Sequence, residues 1–371
     1  MFGASDSSIS FGRIAGAPVR IGPGSVLLGG YFAYVLGSQW MEVESIGRES
    51  TLIIVAAAVL TGLGFVLSIL AHEAGHAVVA KRNGISTKEI RLSLFGGVAA
   101  LERGAPTPSV EMKVAFAGPG VNLVIGAVGL GVYNALGRSG VDSVGLDALL
   151  WLSAINLFLG VLNLLPALPL DGGRILTGFL WRRREDRGSA VRSAAKIGKG
   201  VAYLAFAVGV YELVVAGSIF GFYTLFIGMI LLRGADSEVA RASLVDAVKG
   251  RTVSDVARFQ PSVVTETTNT ASARALLPSP DATRRWAVVT DEDGIARGLV
   301  DLVMLNRVAS MDGTNPVADV MVSIDQQRAA FASESLEGVL ERGVMLPFVV
   351  IDQDWRPVAI VDQVFAPQAS V

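Results

Sequence analysis

From Leu52 to about Ala80 the chain is almost continuously apolar, and near the end of that run stands Ile69-Leu70-Ala71-His72-Glu73-Ala74-Gly75-His76-Ala77-Val78-Val79. A stretch this long and this apolar is a membrane-spanning helix. It holds both histidines of the chain, four residues apart, with Glu73 directly after the first. Four residues is close to one helical turn, so the two imidazoles share a face and can ligate one metal ion. Glu73 then lies beside the metal, placed to deprotonate a bound water. HExxH also arises by chance in soluble helices. At membrane depth, however, each ionisable group costs roughly 2.5–3.5 kcal/mol on insertion scales, and such groups are functional by default.

Composition narrows the metal chemistry. The chain has no cysteine, which excludes disulfides, thiolate ligands and cysteine catalysis and leaves nitrogen and oxygen donors. Of its 371 residues 51% are hydrophobic and 17% charged, a balance that calls for several membrane spans. The length allows two or three domains. A net charge of −2 carries no nucleic-acid footprint, and the N-terminus shows no removable signal peptide.

Residues 1–24, rich in Gly, Ser and Pro with Arg13 and Arg20, read as an exposed lead-in. Apolar segments then follow at about Val26–Trp40, Leu52–Ala80, Val110–Leu136, Leu149–Leu165, Val201–Ala216 and Ile219–Leu232, six in all. Arg13, Arg20, Lys81-Arg82, the basic run from Arg182 to Lys199, and Arg233 and Arg241 assign both ends to the cytoplasm by the positive-inside rule. The same basic run could touch anionic lipid. Ile85–Leu101 is rich in β-formers around Gly96-Gly97 and reads as two short strands or a hairpin. It is either an edge for an extended peptide or a simple link. Gly118-Pro119-Gly120 kinks or interrupts the third segment.

The second informative stretch is Leu165-Pro166-Ala167-Leu168-Pro169-Leu170-Asp171-Gly172-Gly173-Arg174. Prolines three apart stop the helix, and Gly-Gly frees the backbone to turn. The outcome is an unwound segment at membrane depth with one carboxylate, tolerated only inside protein or along a cavity. Two histidines on zinc want a third protein ligand, and Asp171 supplies it. Its other reading is the N-cap of a helix starting near Gly172.

From about Ser243 the sequence becomes soluble α/β and repeats. Thr252-Val253-Ser254-Asp255-Val256 matches Pro316-Val317-Ala318-Asp319-Val320. Likewise Trp286–Asp291 and Gly298–Asp301 match Phe348–Asp352 and Ala359–Asp362. This is a paired module rather than a solenoid. The divisions are therefore 1–24, a membrane domain 25–235, and a pair 236–371 with repeats of about 243–309 and 310–371.

HEAGH in a membrane helix, with Asn163 eight residues before Asp171 in Leu-Pro-x-x-Pro-x-Asp-Gly-Gly, resembles the site-2 protease family of intramembrane zinc metalloproteases. Phe95-Gly96-Gly97 and the AGPxxN segment Ala117–Asn122 add to the likeness, and the C-terminal repeat resembles a CBS-domain pair. The resemblance implies a polytopic α-helical membrane protein of about six spans with a small membrane-associated β-hairpin, followed by a soluble α/β CBS pair. It implies one catalytic Zn2+ on His72, His76 and Asp171, with Glu73 activating the water. Asn163 orients substrate or stabilises the oxyanion, and Phe95, Gly96 and Gly97 present an edge strand to an unwound substrate helix. The substrate class is a membrane-spanning regulator such as an anti-sigma factor, in regulated intramembrane proteolysis at the cell membrane. Membrane lipid and a homodimer through the CBS pair complete the expected partners.

In CBS pairs that bind adenine nucleotides, a Ser or Thr follows the Gly-Ile-Val-like triplet, with an Asp three residues later. Here those places hold Asp301 and Met304, then Asp362 and Phe365. A carboxylate facing a phosphate is electrostatically awkward. A dimerising or structural module and a ligand sensor both stay open. Two other classes compete with the enzyme: an ion transporter or channel with a CBS module, and an inactive chaperone-like homologue. No inverted repeat is evident in the spans, against the first, and the intact HExxH and Asp171 speak against the second.

Overall fold

The computed structural model describes residues 8–43, 50–93, 96–137, 143–280, 285–324, 328–341, 344 and 346–362, and divides into two units, Met1–Ser243 and Leu244–Val371. The first unit combines strands β1 (Ile9–Ile14), β2 (Ala17–Ile21), β3 (Thr87–Ser93) and β4 (Gly96–Leu101) with helices α1 (Pro23–Glu42), α2 (Thr51–Arg82), α3 (Pro108–Gly137), α4 (Val144–Asn163), α5 (Asp171–Arg184), α6 (Arg187–Val214) and most of α7 (Phe220–Val248). Four of these, α2, α3, α4 and α6, are long and apolar enough to cross a membrane.

Local chemistry explains the boundaries. Ser50 caps α2 by accepting the Ile53 N–H, and Lys81 and Arg82 in its last turn complement the helix dipole. Asp186 likewise caps α6 through Ser189. The basic run is thus divided: Arg182, Arg183 and Arg184 close α5, while Arg187, Arg192, Lys196 and Lys199 lie in the first half of α6, which begins well before the apolar segment expected from Val201. The third span is not interrupted: α3 is helical straight through Pro119. The helix packs closely on α4 around this point, where Gly160 lets the Pro119 carbonyl approach and Gly126 seats Ser153 and Leu157.

Residues 9–21, expected as an exposed lead-in, instead form two strands. The sheet order is β1-β2-β3-β4, with β2 parallel to β3 and the other pairs antiparallel. Alternation accounts for the difference: Ala17 and Val19 point inward with Ile90 and Ala77 to form a small core against α2. One edge of β4 pairs with β3, and no described strand takes the other.

The segment after α4 is the irregular element. Ala167 and Leu168 are fully buried, and Leu168 packs among Val191, Ala194 and Ala195 of α6 and Ala235 of α7. Small residues make this grip close: a Cβ on Gly234 would lie 2.5 Å from the Pro169 ring, and one on Gly198 3.0 Å from the Leu168 nitrogen. Asp171 is neither within the unwound stretch nor an N-cap. It is the first residue of α5, and Leu170 occupies the cap position without a side-chain bond.

The second unit contains β5 (Arg258–Phe259), β6 (Val263–Thr265), α8 (Thr270–Leu276), β7 (Trp286–Thr290), β8 (Ala296–Asp301), α9 (Leu302–Met311), β9 (Val322–Ser323), β10 (Ala329–Phe331), α10 (Leu336–Glu341), β11 (Phe348–Ile351) and β12 (Pro357–Val361). They make two sheets of one pattern, β6-β7-β8-β9 and β10-β11-β12-β5, each with one parallel and two antiparallel pairings. The repeats exchange strands: β5 precedes the first repeat's sheet but completes the second, and β9 follows the first repeat but completes its sheet. Valines and leucines on β7, β8, β11 and β12 fill the cores.

Candidate metal centre

α2 presents His72, Glu73 and His76 on its buried side, and the start of α5 brings Asp171 to them. The Nε2 atoms of His72 and His76 are 3.1 Å apart, and Asp171 Oδ2 lies 3.2 Å from the first and 3.4 Å from the second. Three zinc ligands with arms of about 2.0 Å at tetrahedral angles stand about 3.3 Å from one another. The observed triangle fits that size, and its nitrogen and oxygen donors suit zinc. Among the described residues this is the one group of three or more His, Asp or Glu side chains that could hold a metal ion.

The other ring nitrogens are held as well. His72 Nδ1 lies 3.2 Å from Asn122 Oδ1, and His76 Nδ1 lies 2.7 Å from the Val114 carbonyl. Each oxygen accepts from an Nδ1–H, which leaves the Nε2 lone pair turned toward the cluster. Both supports come from α3, where Asn122 is 1% exposed. A Cβ on Gly118 would sit 2.3 Å from His76 Nε2 and 2.6 Å from His72 Nε2, so only glycine lets α3 pass so close. Glu111 joins the start of α3 to Arg187 at the start of α6 in a two-point ion pair, at 3.0 and 3.1 Å, between the helix that supports the histidines and the one packed on the Asp171 loop.

Glu73 is buried beside the triangle, and β4 covers it. A Cβ on Gly97 would stand 2.4 Å from Glu73 Cγ and 2.9 Å from Oε1. The two glycines serve different ends: Gly96 has φ 115° in open space, whereas Gly97 is needed for room. Phe95 lies outside the described residues. Asn163 ends α4, half-buried, and its side chain makes no hydrogen bond among the described residues. Asn122, Gly118 and the Val114 carbonyl received no role from the sequence. The available signal was the Gly-Pro-x-x-Asn spacing, a polar amide in an apolar helix.

Two comparisons bear on this geometry. The model of Peptidase family M50 matches residues 60–148 and 137–207, a range that takes in all four cluster residues. Rip3 of Mycobacterium tuberculosis, a zinc metalloprotease by its given name, is 33% identical over 344 residues, covering 90% of this chain and 85% of its own length. The chain belongs to peptidase family M50, the site-2 proteases. It is thus a zinc metalloprotease, a hydrolase. Among solved structures, the site-2 protease from Methanocaldococcus jannaschii matches at 27% identity with a TM-score of 0.43, over 62% of this chain and 95% of that one. A hemolysin-like protein of Oenococcus oeni containing a CBS domain matches 33% of this chain at 19% identity and a TM-score of 0.27.

In the second unit the two awkward carboxylates have cationic partners. Asp301 accepts from Arg285 at 2.8 Å and from the Val303 N–H at the start of α9. Asp362 accepts from Arg258 at 2.9 and 3.0 Å. Met304 is half exposed on α9, and Phe365 lies outside the described residues.

Proposed function

We propose that this metalloprotease is an intramembrane endopeptidase that cleaves peptide bonds in or near the transmembrane helices of membrane-bound regulators, with anti-sigma factors as the model class. The observation that carries this reading is a tetrahedron-sized His72–His76–Asp171 triangle with a buried Glu73 beside it, closed by α5 onto the apolar helix that bears the two histidines and Glu73. When bound, zinc supplies a Lewis acid for the scissile carbonyl and acidifies water to a pKa of about 7. Glu73 takes the proton of the attacking water on a carboxylate oxygen and returns it to the leaving amine nitrogen. Asn122 and the Val114 carbonyl hold the imidazoles in the ligating tautomer, and Asn163, eight residues before Asp171, is read as orienting the substrate or stabilising the oxyanion. A peptide bond hidden in a helix must be unwound first, and the free edge of β4, Gly96 and Gly97 included, offers the replacement hydrogen bonds.

On this reading α1 and α7 join the four apolar helices as the outer spans, both termini face the cytoplasm of a cell membrane, and the basic start of α6 meets anionic lipid. The second unit is a CBS pair that regulates the protease. The Arg285–Asp301 and Arg258–Asp362 pairs favour a dimerising module over an adenine-nucleotide sensor.

The test measures zinc content and proteolysis in one detergent preparation, against a panel of helical membrane peptides. Wild type is expected to carry about one zinc and cleave. Glu73→Gln keeps the zinc and loses roughly 10²–10⁴ in kcat, and Asp171→Ala loses the metal. Ion flux in liposomes without bound metal would instead support a transporter.

A further inference from the structure

Two buried amides between the apolar helices have complementary unmatched groups. Asn122 uses its Oδ1 on His72 Nδ1, and its Nδ2 makes no hydrogen bond among the described residues. Asn156 is fully buried on α4 and donates its Nδ2 to the Leu152 carbonyl at 2.8 Å. Its Oδ1 is buried without a partner among the described residues. A buried amide oxygen left so is destabilising unless something donates to it.

Helix register brings the two amides to one seam. A Cβ on Gly160 would lie 3.2 Å from the Pro119 carbonyl oxygen, and one on Gly126 2.8 Å from that of Ser153. Thus α3 and α4 run antiparallel, with residues 119–126 facing 153–160. Asn122, three residues after Pro119, and Asn156, three after Ser153, each stand about 60° off that line, and in an antiparallel pair equal offsets fall on the same side. Helix α2 fills that side: His72 reaches Asn122, and Gly64 and Phe65 meet Leu152 and Trp151. Since α2 also runs antiparallel to α3, it is parallel to α4. Ser68, four residues after Gly64, therefore comes level with Asn156, four after Leu152. Ser68 is buried, and its hydroxyl donates to the Phe65 carbonyl, which leaves its oxygen as an acceptor.

We propose that a buried water joins these groups and that Asn156 is thereby a positioning residue of the zinc site. The water accepts from Asn122 Nδ2 and donates to Asn156 Oδ1 and Ser68 Oγ, about the usual number of bonds for a buried water. This fixes which end of the Asn122 amide faces His72. Turned over, the amide would donate to Nδ1, place the ring proton on Nε2 and take the lone pair away from the metal. The inference rests on the zinc site proposed above, but its test does not require proteolysis.

The readout is the zinc affinity of the full chain in detergent, measured by competition with a chelator. Asn156→Leu, or Asn156→Val should the larger side chain disturb folding, is expected to weaken it about three- to tenfold, less than loss of a direct partner of a ligand. The absorption bands of the Co2+-loaded protein should shift with it. Asn156→Asp, which keeps a side-chain oxygen of the same reach, should bind zinc as the wild type does. So should Ser153→Ala, which removes a buried hydroxyl bonded within its own helix to the Leu149 carbonyl. In an Asn122→Leu background the Asn156 change should cause no further loss, because the amide it acts through is gone. Losses of equal size in both backgrounds, or an unchanged affinity in Asn156→Leu and Asn156→Val, overturn the inference while leaving the zinc site in place. Zinc retained in His72→Ala instead rejects the metal site, and this inference with it.

Discussion

Asp171 in the first unit and Asp301 and Asp362 in the second are the same residue under opposite charge accounting. Asp301 and Asp362 each receive an arginine from their own unit at 2.8–2.9 Å. Asp171 is buried with two imidazoles and makes no ion pair with Lys or Arg among the described residues. A buried carboxylate must be paired or coordinate a metal. The difference teaches where to look for a cation from outside: at the carboxylate for which the fold provides none of its own.

Gly118→Ala tests this contrast with the largest expected effect. Its methyl group would enter the space facing both Nε2 atoms, so zinc content by mass spectrometry should drop to near zero. Gly131→Ala, in open space on the same helix, should leave it unchanged. Next comes Asn122→Leu, which removes the partner of His72 Nδ1. Zinc affinity measured by competition with a chelator should weaken about 10–100-fold, and an unchanged affinity would remove Asn122 from the site.

In the second unit the effects should be smaller. If Arg285 has already answered Asp301, AMP or ATP at millimolar concentration should not shift the melting of the wild type, whereas Asp301→Ser should begin to respond. A clear shift in the wild type would break the comparison. Smallest of all is a pH effect at Asp291. The Ile295 N–H, then Arg297, hold its carboxyl below the usual carboxylate range. Its contribution is therefore present above that range and fades as pH falls through the depressed value. The gap in melting temperature between wild type and Asp291→Asn should be visible at pH 7 and close toward pH 3.

Much of the site is legible in the sequence. His72, Glu73 and His76 follow from one helical turn, and Asp171 is suggested by the Pro-bracketed, Gly-Gly stretch that carries one carboxylate at membrane depth. What stays illegible there is the support. Asn122 reaches His72 across fifty residues and the Val114 carbonyl reaches His76 across thirty-eight, and no local periodicity encodes which helix lies alongside another. The apolar segments are legible as elements, but their ends are not. Charged residues continue α6 and α7 past the apolar stretches because helix propensity and capping, not hydropathy, decide where a helix stops.

By itself the sequence determined the chemistry on offer: a nitrogen–oxygen metal site centred on an apolar helix, and a tandem α/β repeat behind it. Local spacing and composition suffice for both. Tertiary structure alone decided that Pro119 would lie inside an unbroken helix, that residues 9–21 would join a sheet, that the repeats would exchange β5 and β9, and that Glu73 would rest against Gly97. Each of these depends on which surfaces meet, and close packing between segments distant in the chain is a property of the assembled fold.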